Sequence, residues 1–135
     1  PGFWRTDSDD TPGTPNAGNQ FHIFQSTTGR PWIRWASGQD ILKPASGYAV
    51  PLNEWVYATY VVEQGATAKF YANGVLQHSY THGISASPSF RYVGFQDQLT
   101  EKPVAKYGTI EFYSKALSEA EINQNYDVIK SRYGL

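Results

Sequence analysis

Residues 64–81, QGATAKFYANGVLQHSYT, predict an antiparallel β-hairpin and decide the fold class. Two runs rich in aromatic and β-branched residues flank the pair Asn73-Gly74, which tolerates the positive φ angles of a two-residue type I′ turn. This turn fixes a register in which Ala72 pairs with Val75. Because a lone two-stranded hairpin is marginally stable in water, we expect further strands to pack against it.

The same register divides the hairpin into two faces, since successive strand residues point to opposite sides. We expect Phe70 to lie opposite Gln77, and Lys69 to lie opposite His78. One face is assigned to the core, so Phe70 is expected to be far more buried than Lys69. The core face is predicted to contain Phe70, Ala72 and Val75, and the opposite face Lys69, Tyr71 and His78.

Composition favours a single all-β domain. The chain has 135 residues, enough for one core, of which 16% are aromatic, and 12 Gly and 8 Pro are spread through it. This balance favours many short strands over long helices. With no cysteine in the sequence, a disulfide framework and a thiolate metal site are excluded.

The charge pattern argues against nucleic-acid binding and membrane insertion. The formal net charge is −1 and the sequence contains no basic run, so there is no electrostatic footprint for a phosphate backbone. No apolar run reaches the roughly 18 residues that a transmembrane helix needs. We therefore expect neither a nucleic acid nor a membrane as a partner.

Further strands are predicted on both sides of the hairpin. The run at 54–63 is apolar on both faces, which favours a central, covered strand. Residues 37–52 contain two Gly and two Pro and indicate a loop or a weak edge strand. The other predicted strands are residues 1–6, 20–25, 31–36, 90–95 and 107–113.

One helix is predicted near the end of the chain, at about residues 119–131. Ser118 and Glu121 have the spacing of a capping box, in which each side chain bonds the backbone N–H of the other residue. Leu117 and Ile122 occupy the two positions of a hydrophobic staple. The predicted fold is therefore a set of antiparallel strands followed by one short C-terminal α-helix.

Three blocks of the sequence carry a resemblance to a known family. They are 53–60 (NEWVYATY), 69–75 (KFYANGV) and 108–126 (GTIEFYSKALSEAEINQNY). The sequence resembles the laminin-G-like, concanavalin A-like lectin/glucanase domains found in bacterial surface proteins and phage structural proteins. The resemblance implies an antiparallel jelly-roll β-sandwich of two sheets, with sugar or protein ligands at its concave face or rim loops.

The resemblance also carries expectations about domain extent and location. It implies one laminin-G-like domain over residues 1–135, on an extracellular or virion surface. Family members usually have several more strands before the point where this chain starts. We therefore expect N-terminal strands to be missing from the chain or to come from a neighbour.

No catalytic residues are predicted. The glucanase members of the superfamily carry closely spaced carboxylates on one strand, because retaining glycoside hydrolysis needs two carboxyl groups about 5 Å apart. That spacing is absent here, and Glu111 stands alone on its predicted strand. His22, His78 and His82 lie near no Gly-x-Ser-x-Gly nucleophile elbow. We therefore expect a binding domain and not an enzyme.

Trp32 and Arg34 are the leading candidates for ligand binding. An aromatic platform beside a guanidinium group suits the recognition of sugar hydroxyls. Core burial of Trp32 or of Trp35 is the competing explanation, since alternation lets only one of them face inward. Trp55 is expected to pack in the core. The full set of predicted ligand-binding residues is Trp32, Arg34, Tyr71 and His78.

A metal site is predicted only as an alternative. Asp7, Asp9 and Asp10 could offer oxygen ligands to Ca²⁺, which takes six to eight of them. The EF-hand spacing is absent, and an acidic surface loop explains the cluster more simply, so no cofactor is predicted.

Two functions from different classes follow from the sequence. The first is a non-catalytic, lectin-like domain for carbohydrate binding or display. The second is a structural decoration or assembly domain, without a sugar site, that a neighbouring chain completes. The expected partner is accordingly a glycan or a neighbouring structural protein, in an oligomer or a larger assembly.

Overall fold

The computed structural model describes residues 2–6, 21–25, 30–35, 39–42, 47–84, 92–93 and 106–135. Before residue 47 and at 92–93, side chains are described only at positions 30, 31, 33 and 42. The predicted loop at 7–19 and most of the predicted strand at 90–95 lie outside the described residues.

Eight strands and one helix form in the part of the chain that the structure describes. Their bounds are β1 Gly2–Thr6, β2 Phe21–Gln25, β3 Pro31–Trp35, β4 Gln39–Leu42, β5 Ala58–Val62, β6 Thr67–Ala72, β7 Val75–Thr81, β8 Tyr92–Val93 and α1 Glu119–Tyr133. All strand pairs are antiparallel, in a five-stranded sheet ordered β4-β3-β2-β1-β8 and a three-stranded sheet ordered β5-β6-β7. The predicted all-β class with one C-terminal helix is confirmed.

The turn of the β6–β7 hairpin forms as predicted. Asn73 has a φ of 51° and Gly74 a φ of 80°, the two positive angles that a type I′ turn requires. The strands leave this turn with Ala72 opposite Val75 and Tyr71 opposite Leu76. The Asn-Gly pair therefore determines both the turn and the first two cross-strand pairs.

Beyond those pairs the predicted register is wrong, because β7 contains a β-bulge. Phe70 lies opposite His78, and Lys69 lies opposite Ser79, so Gln77 is the extra residue on its strand. Directly paired residues share a face of the sheet. His78 therefore lies on the Phe70 face, and not on the Lys69 face to which the regular register assigned it.

One apolar cluster joins the two sheets. Ile33 and Leu42 from the five-stranded sheet pack with Ala68, Phe70 and Ala72 of β6, and all five side chains are buried. Phe70 is fully buried and Lys69 is half-buried, as expected from the assignment of faces. Tyr48 and Tyr60 border Phe70, with ring centroids 5.5 Å and 4.9 Å from it. The Val75 side chain at the hairpin tip is 60% exposed, so its predicted burial is wrong.

The other face of the three-stranded sheet packs against α1. Val61, Tyr71 and Ile122 are buried together there, with Leu117 partly buried against them. The predicted hydrophobic staple thus brings both of its members to the sheet. Both faces of the hairpin are covered, one by the five-stranded sheet and one by the helix.

Helix α1 begins at the predicted capping box. Ser118 Oγ accepts a hydrogen bond from the backbone N–H of Glu121, and the backbone N–H of Ser118 donates to Glu121 Oε2 at 2.8 Å. Gly134 ends the helix with a φ of 68°, and its N–H donates to the Lys130 carbonyl. These contacts satisfy backbone groups that the helix itself leaves without partners.

The strand predicted at 54–63 begins later than expected, at Ala58. Asn53 has a positive φ of 63°. The backbone N–H of Tyr57 donates a hydrogen bond to the side-chain oxygen of Asn73, and the Tyr57 carbonyl accepts one from the backbone N–H of Asn73. Tyr57 is thus tied to the hairpin turn. Among the described strands β5 is an edge strand and not the predicted central one, although it is covered on both faces.

Residues 107–113 do not form the predicted closing strand. The Ile110 side chain is 38% exposed and the Phe112 side chain 53% exposed. Thr109 and Tyr113 instead contact α1 through Tyr133 and Asn125. Thr109 and Tyr113 therefore contact the helix, while Ile110 and Phe112, which alternate with them along the chain, are exposed.

Candidate functional site

Trp32 and Arg34 lie in β3, as predicted. Trp32 pairs with Phe24 of β2, and Arg34 pairs with His22 of β2 and Asp40 of β4. Their side chains are outside the described residues, so their role in ligand binding stays a prediction. The same holds for the competing burial of Trp35.

Tyr71 and His78 lie at covered positions. The Tyr71 side chain is 4% exposed and belongs to the cluster beneath α1. His78 lies across from Phe70 and is half-buried, and its Nε2 is inaccessible, with no hydrogen-bond partner among the described residues. The structure therefore does not bring Tyr71 and His78 together on one open surface.

Asp7, Asp9 and Asp10 lie outside the described residues. Among the residues that the structure does describe, no group of three or more His, Asp or Glu side chains is arranged to hold a metal ion. Within the same part of the chain, no helix has the length and apolarity needed to cross a membrane.

Four polar side chains form a surface cluster. They come from α1, from the residue just before β5 and from residues 107–113. The Tyr113 hydroxyl donates to Glu111 Oε2 at 2.6 Å and accepts from Asn125 Nδ2 at 3.0 Å. The side chains of Thr59 and Asn125 lie near the Tyr57 hydroxyl and lower its pKa, against the larger effect of burial. We call Tyr57, Glu111, Tyr113 and Asn125 the tyrosine patch.

The Glu111 carboxylate acts on both tyrosines of the patch. Its hydrogen bond raises the pKa of Tyr113 to about 12. Burial raises the pKa of Tyr57, and the charge of Glu111 raises it further. Both hydroxyls therefore stay protonated at neutral pH, and Glu111 supplies acceptor oxygens at the surface.

The patch is accessible, and two aromatic pairs join α1 to residues that precede β5. The Tyr113 side chain is 48% exposed. Trp55, which was expected in the core, is 41% exposed, and its ring lies 5.0 Å from that of Tyr133. The ring centroids of Tyr57 and Tyr126 are 6.1 Å apart. Flat rings beside oriented polar groups are suited to ligands that have both apolar faces and hydroxyls.

The backbone around the patch is held by close approaches that need glycine. A Cβ on Gly74 would lie 2.5 Å from Asn123 Oδ1 and 3.2 Å from Tyr126 Cδ1. A Cβ on Gly108 would lie 2.4 Å from the Tyr133 ring. The hairpin turn and residues 107–113 thus both contact α1 directly, which sets the position of Tyr57 and Tyr113 relative to Asn125.

Sequence reasoning missed the tyrosine patch. Its members come from three separate stretches, and Glu111 was interpreted as an isolated carboxylate. The available signal was the alternation of Glu111 and Tyr113 along 107–113 together with the polar Asn125 beside the apolar stripe of α1. This signal could not predict that residues 107–113 pack against α1.

The family of the chain is shown by its match to a family profile. The Laminin_G_3 profile, described as concanavalin A-like lectin/glucanases superfamily, matches residues 4–123. The chain belongs to this superfamily. The match covers both sheets and the start of α1, so the laminin-G-like domain includes the hairpin and three members of the tyrosine patch.

Comparison with curated proteins gives no match. Among solved structures, this laminin-G-like chain is similar to an S-layer domain-containing protein from Clostridium thermocellum, at 16% sequence identity and a TM-score of 0.48. The similarity covers 93% of this chain and 62% of that structure. The chain therefore spans less than two thirds of that structure.

Proposed function

We propose that this laminin-G-like domain is a non-catalytic carbohydrate-binding domain that is displayed on an extracellular surface. The observation that carries the proposal is the tyrosine patch, in which an exposed ring is held between a carboxylate and an amide. A sugar presents an apolar ring face and a rim of hydroxyls, and such a patch offers a complement to both. Membership of a superfamily named for lectins and glucanases supports the same ligand class.

Two features make the patch suited to binding. Its hydrogen bonds orient Tyr113 before a ligand arrives, so less side-chain entropy is lost on binding. A second aromatic pair, Trp55 and Tyr133 with ring centroids 5.0 Å apart, also involves α1 and offers a further flat surface for a sugar. Trp32 and Arg34 remain a second candidate surface for the same ligand class.

The test is a glycan array followed by titration of the best ligand. We expect Tyr113→Ala to weaken binding at least about tenfold, which corresponds to about 1.4 kcal/mol. Tyr107→Ala is the matched control, since Tyr107 is also an exposed tyrosine but lies outside the patch. Unchanged affinity in Tyr113→Ala with lost affinity in Trp32→Ala would move the site to β3, and an array without any ligand would contradict carbohydrate binding.

The non-catalytic part of the proposal has its own test. Its support is the lack of the closely spaced strand carboxylates that glucanases use. Incubation with a panel of β-glucans should release no reducing ends above a protein-free control. Hydrolysis that persists through a second purification step would contradict this part alone.

A structural assembly role is the second candidate, favoured by the exposure of apolar side chains in 107–113. Ile110 and Phe112 are 38% and 53% exposed on a segment with the composition of a strand. An exposed segment with this composition can add as a strand to the edge of a sheet in another chain. A neighbouring chain that adds a strand there would cover both side chains and complete the domain.

Sedimentation velocity distinguishes the second candidate. An assembly domain should self-associate or bind a neighbouring structural protein, and Phe112→Glu should abolish that association. A chain that stays monomeric at all concentrations, with Phe112→Glu indistinguishable from the original, would count against self-association through this segment.

A further inference from the structure

The polarity of the tyrosine patch bears on which carbohydrates it could accept. The single hydroxyl of Tyr113 is already used in both directions, as a donor to Glu111 and as an acceptor from Asn125. An ionised carboxylate accepts hydrogen bonds and donates none, and Glu111 has further acceptor capacity beyond the one bond to Tyr113. The strongest hydrogen-bonding group left for a ligand is therefore an acceptor with a negative charge.

The charge of Glu111 acts on both tyrosines of the patch. It raises the pKa of Tyr57 and of Tyr113, so its field extends over the surface that a ligand would cover. Across the part of the chain that the structure describes, no lysine or arginine lowers the pKa of either hydroxyl. Glu111 is therefore the charged group that acts on both hydroxyls of the patch.

Two lysines near the ends of α1 form ion pairs with residues outside the patch. Lys115 pairs with Glu121 at 2.5 Å, and Lys130 pairs with Asp127 at 2.6 Å. The Arg132 guanidinium lies 5.6 Å from the centre of the Tyr133 ring. Both lysines are thus paired with carboxylates that do not belong to the patch, and Glu111 is the one charged residue among the four members of the patch.

From this arrangement we propose that the tyrosine patch selects neutral sugars and amino sugars and rejects acidic ones. This inference rests on the proposed carbohydrate-binding function. Hydroxyl and ammonium groups donate hydrogen bonds to a carboxylate, and an ammonium group adds charge complementarity. A uronate or a sulfated sugar would place like charge against Glu111.

The experiment compares three kinds of oligosaccharide of similar length at neutral pH and low salt: neutral glucans, glucosamine oligomers and oligouronates. We expect the oligouronates to bind at least about fivefold more weakly than the neutral glucans, the size of effect that surface charges produce. In Glu111→Gln this discrimination should disappear. Glu119→Gln is the matched control, because Glu119 is an exposed glutamate on the first turn of α1, outside the patch.

Salt provides a second measurement that does not depend on a substitution. If the carboxylate acts through its charge, added salt should narrow the difference between neutral and uronate ligands in the unmodified chain. Oligouronates that bind as tightly as neutral glucans, or discrimination that survives in Glu111→Gln, would overturn this inference and leave carbohydrate binding intact. Failure of all three ligand classes to bind would overturn the proposed function itself, and this inference with it.

Discussion

The hydroxyl of Tyr113 lies 2.6 Å from Glu111 Oε2, two residues back along the chain, and Asn125 of the helix donates to the same hydroxyl. Side chains two apart on an extended segment point the same way. This spacing allows Glu111 and Tyr113 to meet, and the helix supplies Asn125 as the third member of the network.

The Glu111–Tyr113 hydrogen bond should be visible in a titration. The pKa of Tyr113 is raised to about 12 because its protonated hydroxyl donates a hydrogen bond to the Glu111 carboxylate. A raised folded-state pKa contributes stability that is complete below the unfolded value of 10.0 and is lost as the pH rises towards 12. Glu111→Gln should move the ultraviolet titration of this tyrosine back towards 10.0. An unchanged high-pH transition in this variant would show that the bond is not formed in solution.

Gly74→Ala should destabilise the fold. The residue has a φ of 80°, and a Cβ there would lie 2.5 Å from Asn123 Oδ1. We expect a loss of about 1–3 kcal/mol in the free energy of unfolding, measured with urea. Gly65→Ala is the control, since Gly65 has a positive φ of 66° and a Cβ there has nothing within 4 Å, so this variant shows the backbone strain without the contact and should lose less stability. Equal effects of the two substitutions would contradict the packing of the turn on α1.

Truncation of two phenylalanines should destabilise the fold to very different extents. Phe70 is fully buried between the sheets, so Phe70→Ala should cost about 3–5 kcal/mol in the free energy of unfolding. Phe112 is 53% exposed, and Phe112→Ala should cost about 1 kcal/mol or less. A larger loss for Phe112 than for Phe70 would mean that residues 107–113 are buried in solution.

The capping box should stabilise α1 in a pH-dependent way. Ser118→Ala removes the acceptor for the N–H of Glu121 and should cost about 1 kcal/mol in the free energy of unfolding. Hydrogen bonds from Lys115 and from Ser118 lower the pKa of Glu121 to about 2 from 4.5. This contribution is complete above pH 4.5 and is lost as the pH falls towards 2. In Glu121→Gln, the free energy of unfolding should depend less steeply on pH between those two values. A pH dependence equal to that of the unmodified chain would argue against these hydrogen bonds of Glu121.

Local sequence signals predicted the elements that short-range geometry determines. Asn73-Gly74 predicted a turn whose two φ values are positive, and Ser118 with Glu121 predicted the first turn of α1. Both are decided by contacts within four residues. The bulge at Gln77 was not predictable in this way, because nothing in a two-residue turn determines how the strands pair farther along.

The tyrosine patch and the exposure of 107–113 depend on contacts between distant residues. The pattern Tyr-Gly-Thr-Ile-Glu-Phe-Tyr has the composition of a strand, and composition alone does not say whether a strand partner is present. Gly108 permits the close approach to Tyr133 that places this segment on the helix. Membership of the superfamily supports the proposed ligand class, carbohydrates. The position of the proposed site depends instead on how residues 107–113 pack against α1.

The most direct measurement of the central claim is nuclear magnetic resonance of the chain during titration with the best ligand from the array. If the tyrosine patch is the binding site, the ring signals of Tyr57 and Tyr113 and the side-chain amide of Asn125 should shift together and saturate with one affinity. Shifts confined to Trp32 and Arg34 of β3, with the patch unchanged, would contradict it.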